Sequence, residues 1–286
     1  MSSLSPKTLL LRLGLRPKKA LGQHFLLHPH QARRIVAALS LSAKDTVVEI
    51  GAGLGALTGL LAPTARRVIA LERDPELARF LAEELLVEAP GVEIICQDVL
   101  EFDFPGAARE AGQPLAVVGN LPYQITSPLL FNLIRDVAAI NQAVLMMQLE
   151  VGARLTASPG TKDYGILSVL VQYHFRVTRL FSLSPGNFYP PPQVDSVVLR
   201  LVPETPAPVA LDAALLHQLV KAAFGHRRKT LNNTLASEAA AFGLSPEAMR
   251  AILAELNIDL KRRGETLSVA EFVALSNRVA GLRAEM

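Results

Sequence analysis

Apolar residues recur in short runs along the first two thirds of the chain, and the runs alternate in period. Residues 29–39 carry apolar positions at helical spacing. Thr46-Val47-Val48-Glu49-Ile50 is a short run rich in β-branched residues, too short for a helix and bounded by a glycine-rich turn, and predicts a buried strand. Helical spacing resumes over 54–61, a strand follows at 68–71, and a helix at 75–87 opens with Pro75 in its first turn. Further strands are predicted at 92–95, 115–119 and 143–147. Strands alternating with helices predict a mostly parallel sheet covered on both faces. Two β-rich runs at 172–180 and 196–202 have no full helix between them, as expected of antiparallel strands at a sheet edge.

The pattern changes after Val202. Pro203, Pro206 and Pro208 punctuate a linker, and beyond it the spacing is helical at 211–224, 230–241, 246–256 and 268–279. Ser268 with Glu271 three residues later fits a capping box. The expected organisation is a basic N-terminal arm at 1–27, a catalytic domain at 28–205 and a small all-helical domain at 206–286.

Composition narrows the class. Half of the 286 residues are hydrophobic, enough for a sizeable core, and the formal net charge is +3, only a weak pointer to a polyanionic partner. One cysteine, Cys96, excludes an intramolecular disulfide and makes a zinc site implausible. Its apolar surroundings predict a buried strand residue. The apolar stretch at 9–15 is broken by Arg12 and followed by Lys18-Lys19, unlike a secretory signal, and no run is long enough to span a bilayer. A cytoplasmic protein without metal is expected. No coiled-coil stripe is present, so a monomer is expected.

Two loops carry candidate chemistry. Glu49-Ile50-Gly51-Ala52-Gly53-Leu54-Gly55 follows a strand and opens a helix, the setting in which glycines permit a tight turn and close approach of a ligand. Such loops are common to nucleotide-binding folds. Here the glycines alternate rather than follow G-x-G-x-x-G, which suits a cofactor carrying no phosphate. Glu72 ends the next strand, where a carboxylate can accept both ribose hydroxyls, and Asp98 follows the third strand, in reach of an adenine amine. Glu49 is expected to orient the loop or to reach the cofactor through water. Together these features resemble the class I methyltransferase pattern, whose cofactor is S-adenosylmethionine.

The second loop is Gly119-Asn120-Leu121-Pro122-Tyr123, after the fourth strand. An aromatic amine is a poor nucleophile because its lone pair is delocalised. A side-chain oxygen from Asn120 and the carbonyl of Leu121 could each accept one amine hydrogen and free that lone pair. Pro122 stiffens the loop, and Tyr123 offers a stacking face. Phe188, in Asn187-Phe188-Tyr189-Pro190-Pro191-Pro192, is expected to close on the other face of the base, with a core phenylalanine as the alternative.

The chain resembles the KsgA-type small-subunit ribosomal RNA adenine dimethyltransferases over nearly its whole length. The resemblance lies in Leu21-Gly22-Gln23-His24-Phe25-Leu26, the two loops above, Leu71-Glu72-Arg73-Asp74, Gln97-Asp98, Tyr164-Gly165, residues 188–196 and residues 224–231. It implies a Rossmann-like fold with a helical C-terminal domain. It implies methylation of N6 of two adjacent adenosines in the terminal hairpin loop of 16S rRNA during small-subunit biogenesis. Cofactor contacts then fall on His24, Leu26, Gly51, Gly53, Glu72, Asp98 and Asn120; many members carry Asn where this chain has His24. Of two basic clusters, Arg227-Arg228-Lys229 is expected to touch phosphate, and Lys261-Arg262-Arg263 is the second. The erythromycin-resistance type, which acts on large-subunit rRNA, and a mainly non-catalytic assembly checkpoint are the competing readings.

Overall fold

The computed structural model describes residues 4–85, 89–226 and 228–285. The chain divides into two compact units, Met1–Gly152 with Arg176–Pro203, and Ala153–Phe175 with Glu204–Met286.

The first unit opens with helix α1 (Pro6–Arg12), a 3-10 turn (Lys19–Leu21), strand β1 (Phe25–Leu26) and α2 (Pro29–Ala37). It continues through β2 (Thr46–Ile50), α3 (Thr58–Leu61), β3 (Arg67–Glu72), α4 (Pro75–Phe80), β4 (Val92–Cys96), α5 (Phe104–Ala111), β5 (Leu115–Asn120), α6 (Thr126–Arg135) and β6 (Ile140–Gln148). Helix α7 (Leu149–Leu155) and α8 (Ile166–His174) precede β7 (Phe175–Leu183), β8 (Phe188–Tyr189) and β9 (Ser196–Pro203).

Seven strands form one sheet in the order β4-β3-β2-β5-β6-β9-β7. The pairs β4–β3, β3–β2, β2–β5 and β5–β6 are parallel, and β9 runs antiparallel to β6. This is the parallel sheet with an antiparallel edge that the sequence predicts. The chain builds outward from β2 to β4, then returns to place β5 on the other side of β2. The reversal lies between the carboxyl ends of β2 and β5, where open α/β sheets form their ligand crevice. β2 is buried along its whole length and β5 as far as Gly119, as strands covered on both faces require. Glycine is needed at Gly119, since a Cβ there would lie 2.9 Å from both the Cβ and the carbonyl oxygen of Ile50 on the neighbouring strand.

Several details of the first unit differ from the sequence expectation. Helical spacing at 54–61 yields only the four residues of α3, because Gly55 sits at φ +77° in the preceding turn. Cys96 is exposed, not buried: it ends β4, the edge strand on that side of the sheet. The basic arm packs on the first unit rather than standing apart from it. Leu9 and Leu10 of α1 are buried, and β1 pairs antiparallel with β8, Phe25 opposite Tyr189 and Leu26 opposite Phe188.

The second unit contains α8, α9 (Ala213–Phe224), α10 (Pro246–Glu255) and α11 (Val269–Glu285). Sequence reading assigned 153–175 to the catalytic domain, but the contacts of that segment lie with the helices. Gly160 donates to the Glu265 carbonyl at 2.7 Å, the Tyr173 hydroxyl accepts from the Ala210 amide at 2.9 Å, and the rings of Tyr164, Phe224 and Phe272 pack in series. Residues 230–241 form short 3-10 turns rather than one helix, because the backbone leaves helical geometry at Thr234 (φ −120°, ψ −71°) between them. The capping box forms as expected: Ser268 N donates to Glu271 at 2.7 Å, and Glu271 N to the Ser268 hydroxyl at 3.2 Å.

Candidate active site

The carboxyl ends of β2, β3 and β5 open onto a cavity of about 220 Å³, lined by the turn after β2, Glu72, Asp98, Asn120, Pro122 and the segment 20–28. Gly51, Gly53 and Gly55 all have positive φ, so the turn after β2 needs glycine for its path. At Gly53 crowding adds to that need, since a Cβ would meet the Phe25 ring at 3.2 Å.

Glu72 ends β3 and supports this turn. One carboxylate oxygen accepts from Gly53 N and the other from Asp74 N, both at 2.8 Å. Burial pushes its carboxyl above the ordinary range, against the pull of those amides. Asp98 accepts from Leu100 N at 3.0 Å and pairs with Arg73 at 3.2 Å. Glu49, 1 % exposed, lines the cavity with one oxygen, Oε2, lacking any hydrogen-bond partner. Burial, reinforced by the charge of Glu72, pushes it up to about 8. Glu72 and Asp98 at the cavity disfavour a pyrophosphate and favour a cationic ligand, while Glu49, which keeps its proton at neutral pH, adds no charge. The residues present therefore fit S-adenosylmethionine, whose sulfonium and ammonium are both positive, better than a dinucleotide.

Asn120 sits at the end of β5. Its Nδ2 donates to the His24 carbonyl at 2.7 Å. A carbonyl can only accept, so this bond fixes the amide orientation and leaves Oδ1 as a free acceptor. Leu121 is buried, its amide bonded to Met146 at 2.9 Å. Pro122 leads into a 3-10 turn at Tyr123–Ile125, which continues as α6. The Tyr123 hydroxyl lies 3.5 Å from the Ser196 hydroxyl, and its ring stacks with His24 at 5.8 Å between centroids. His24 is held in turn through Nδ1, 2.7 Å from the Pro190 carbonyl.

Phe188 is 3 % exposed and belongs to the core cluster with Leu26 and Leu183, so its ring occupies the core position that sequence reading held as the alternative. The ring beside Tyr123 is that of His24. Arg228 and Lys229 are exposed, whereas Arg227 lies outside the described residues. In the second basic cluster Lys261 is exposed, Arg262 bonds Glu271 and the Thr266 carbonyl, and Arg263 faces Glu265 at 4.0 Å.

Sequence reading missed a clamp on this site. Lys18 Nζ pairs with Asp74 and Glu76, each at 2.7 Å, and Gln23 Nε2 donates to Asp74 at 2.8 Å. Burial raises the Asp74 carboxyl, but Lys18, Gln23 and the Glu76 amide overcome it and hold it below the ordinary range. Lys18 and Asp74 are far apart in the chain, and nothing local announces their contact.

A model of the ribosomal RNA adenine dimethylases matches residues 14–275. The chain belongs to the ribosomal RNA adenine dimethylase family. Among curated members, the ribosomal RNA small subunit methyltransferase A of Geobacter metallireducens is 46 % identical over 271 residues, covering 94 % of this chain and 98 % of that one. The protein of that name from Bacillus cytotoxicus is 42 % identical over 276 residues, covering 95 % and 94 %. Among solved structures, a dimethyladenosine transferase from Plasmodium falciparum is 26 % identical with a TM-score of 0.76, covering 90 % of this chain and 98 % of that one. The 23S rRNA methyltransferase ErmE is also 26 % identical, with a TM-score of 0.66 and coverage of 90 % and 99 %. The Rossmann-like sheet and the rRNA adenine dimethylase activity expected from the sequence are those of this family.

Proposed function

We propose that the protein transfers methyl groups to N6 of two adjacent adenosines in the 3′-terminal hairpin loop of 16S rRNA, giving dimethyladenosines during small-subunit biogenesis in the cytoplasm, and acts as a monomer. The observation that carries this reading is Asn120: a side-chain oxygen left free as an acceptor at the switch point of the sheet, in the wall of a carboxylate-rich cavity. The small-subunit assignment is supported by relatives at 42–46 % identity that carry that name. The large-subunit type shares the fold at lower identity.

S-adenosylmethionine, when bound, would supply an electrophilic methyl held on a sulfonium, whose leaving sulfur would keep the bonding pair. Glu72 would take the ribose hydroxyls, Asp98 the adenine amine, and Gly51, Gly53, His24 and Leu26 would frame the pocket. Asn120 Oδ1 and the Leu121 carbonyl hold the two amine hydrogens, which favours a pyramidal nitrogen. Tyr123 holds the ring, with Pro122 stiffening the turn beneath it. Phe188 would serve from the core, holding β8 opposite Leu26 of β1. No side chain need act as a base, since the proton can leave to water once the bond has formed. The contribution of the site is positioning, worth roughly 7–11 kcal/mol where geometry is well matched. Arg227, Arg228 and Lys229 would contact rRNA phosphates.

Single-turnover transfer to immature small subunits tests this, with mono- and dimethyladenosine separated by mass. The wild type is expected to reach dimethyladenosine. Asn120→Ala should slow transfer by a factor on the order of 100 or more, as for the removal of one preorganised polar group, measured at saturating S-adenosylmethionine so that any loss of cofactor affinity is separated from the chemical step. Near-wild-type rates in that variant would overturn the mechanism. A wild type that stops at monomethyladenosine would overturn dimethylation.

A further inference from the structure

Two long stretches of this chain lack carboxylates entirely. Residues 1–44 hold eight lysines and arginines and no aspartate or glutamate, and residues 164–194 also hold neither acid. The stretch 66–110 is the opposite, with eleven carboxylates against five arginines. The fold of the first unit brings parts of the two acid-free stretches together. The Arg34 guanidinium lies 3.8 Å over the Phe181 ring, Gln31 Nε2 lies 3.3 Å from Asn187 Oδ1, and Leu27 N donates to the Asn187 carbonyl at 2.8 Å. The result is a face made of α2 and the outer strand β7, at the opposite edge of the sheet from β4.

Within the acidic stretch Arg66 bonds the Ala111 carbonyl, whereas three other arginines meet carboxylates. Near β4, Arg67 pairs with Glu93 and Glu110, and Arg73 with Asp98. Arg34 and Arg179 on the α2–β7 face, and Arg33 next to Arg34 on α2 at the cavity, are exposed, and among the described residues none of the three has a carboxylate partner. Arg34 is steered by Gln31 and Phe181, and Arg179 by the Ser182 hydroxyl at 2.8 Å. Arg33 also lines the cavity that Asn120 lines. Unneutralised guanidinium groups on one edge, with carboxylates gathered at the other, make a field that draws a polyanion to that edge.

We propose that the α2–β7 face is a second RNA-contact surface, on which Arg33 and Arg179 bind backbone phosphates flanking the target adenosine. It is distinct from the cluster at 227–229 in the helical unit. The proposal rests on the RNA-substrate reading above. A simpler role for cations on an outer strand is to block edge-to-edge pairing, and that role requires no phosphate contact.

The test is RNA affinity across a salt series, read by fluorescence anisotropy with an RNA carrying the 3′-terminal hairpin of the small-subunit rRNA. Each phosphate contact contributes about 0.7–0.9 to the slope of log affinity against log salt. The Arg33→Ala/Arg179→Ala protein should lose about 1.4–1.8 of slope on that scale, with an unchanged melting temperature, and R179E should bind more weakly than R179A. Wild-type slope and affinity in the double variant would overturn the proposal while leaving the RNA reading intact. So would a loss confined to cofactor affinity, which would make Arg33 a cofactor residue. If the wild type itself shows no salt-dependent binding, the RNA reading fails and this surface fails with it. R179A, on an exposed strand position, keeps the slope measurable should the double variant not fold.

Discussion

A buried glutamate with an unpartnered oxygen is costly unless it keeps its proton. Glu49 is such a group, pushed up to about 8 by burial and by Glu72. In the unfolded chain its carboxyl returns to 4.5. Between those values the folded chain binds a proton that the unfolded chain has released, so this group makes stability fall as pH rises through that window. Below the unfolded value both states are protonated and the effect vanishes. Glu49→Gln keeps the shape and removes the titration. Thermal melts at closely spaced pH values should therefore show a shallower decline toward pH 8 in the variant. Parallel declines in the two proteins would rule out Glu49 as the source. Asn120 belongs to the same scale: a single bond to the His24 carbonyl decides which of its atoms can meet a substrate amine.

At the scale of elements, the N-terminal segment does more than carry charge. Helix α1 and strand β1 pack on the first unit, and Lys18 and Gln23 fasten the intervening chain to Asp74, the N-cap of α4. Asp74 N bonds Glu72, and Glu72 holds Gly53, so one chain of contacts runs from the segment to the cofactor turn. Lys18→Met retains the side-chain stem but removes the clamp. Cofactor affinity should fall about two- to fivefold, the range for a partly exposed ion pair worth about 0.5–1 kcal/mol. Proteases should also cut the segment faster. Calorimetry and limited proteolysis that both match the wild type would reduce the clamp to a surface contact.

At the scale of the whole molecule, charge is arranged unevenly although the net value is only +3. Cations in the helical unit sort into two kinds. Arg262 is committed to Glu271 and the turn before α11, whereas Arg228 and Lys229 are exposed. Replacing Arg228 and Lys229 with alanine should flatten the salt dependence of RNA binding by about one unit for each phosphate no longer neutralised. The equivalent change at Arg262 should instead lower the melting temperature. A wild-type salt slope in the Arg228/Lys229 variant would leave that cluster as a solvated turn.

Periodicity and motifs report on elements a few residues long, and what depends only on such elements was legible in the sequence. The alternation of strands and helices, the turn after β2, the loop after β5 and the Ser268–Glu271 cap are of this kind, because each is set by neighbours within one turn or one strand. Which strand lies at the edge is not encoded in its own period, so Cys96 reads as buried and is exposed. The same holds for Phe188, whose burial depends on β1, more than 150 residues earlier. Segment 153–175 follows helices that lie after the linker, and the amides of Leu231 and Asn232 donate to residues near 260. The Lys18–Asp74 clamp and the meeting of the two acid-free stretches are also long-range events. Each joins segments whose local sequence carries no mark of the other, and only packing of the chain around one sheet brings them together.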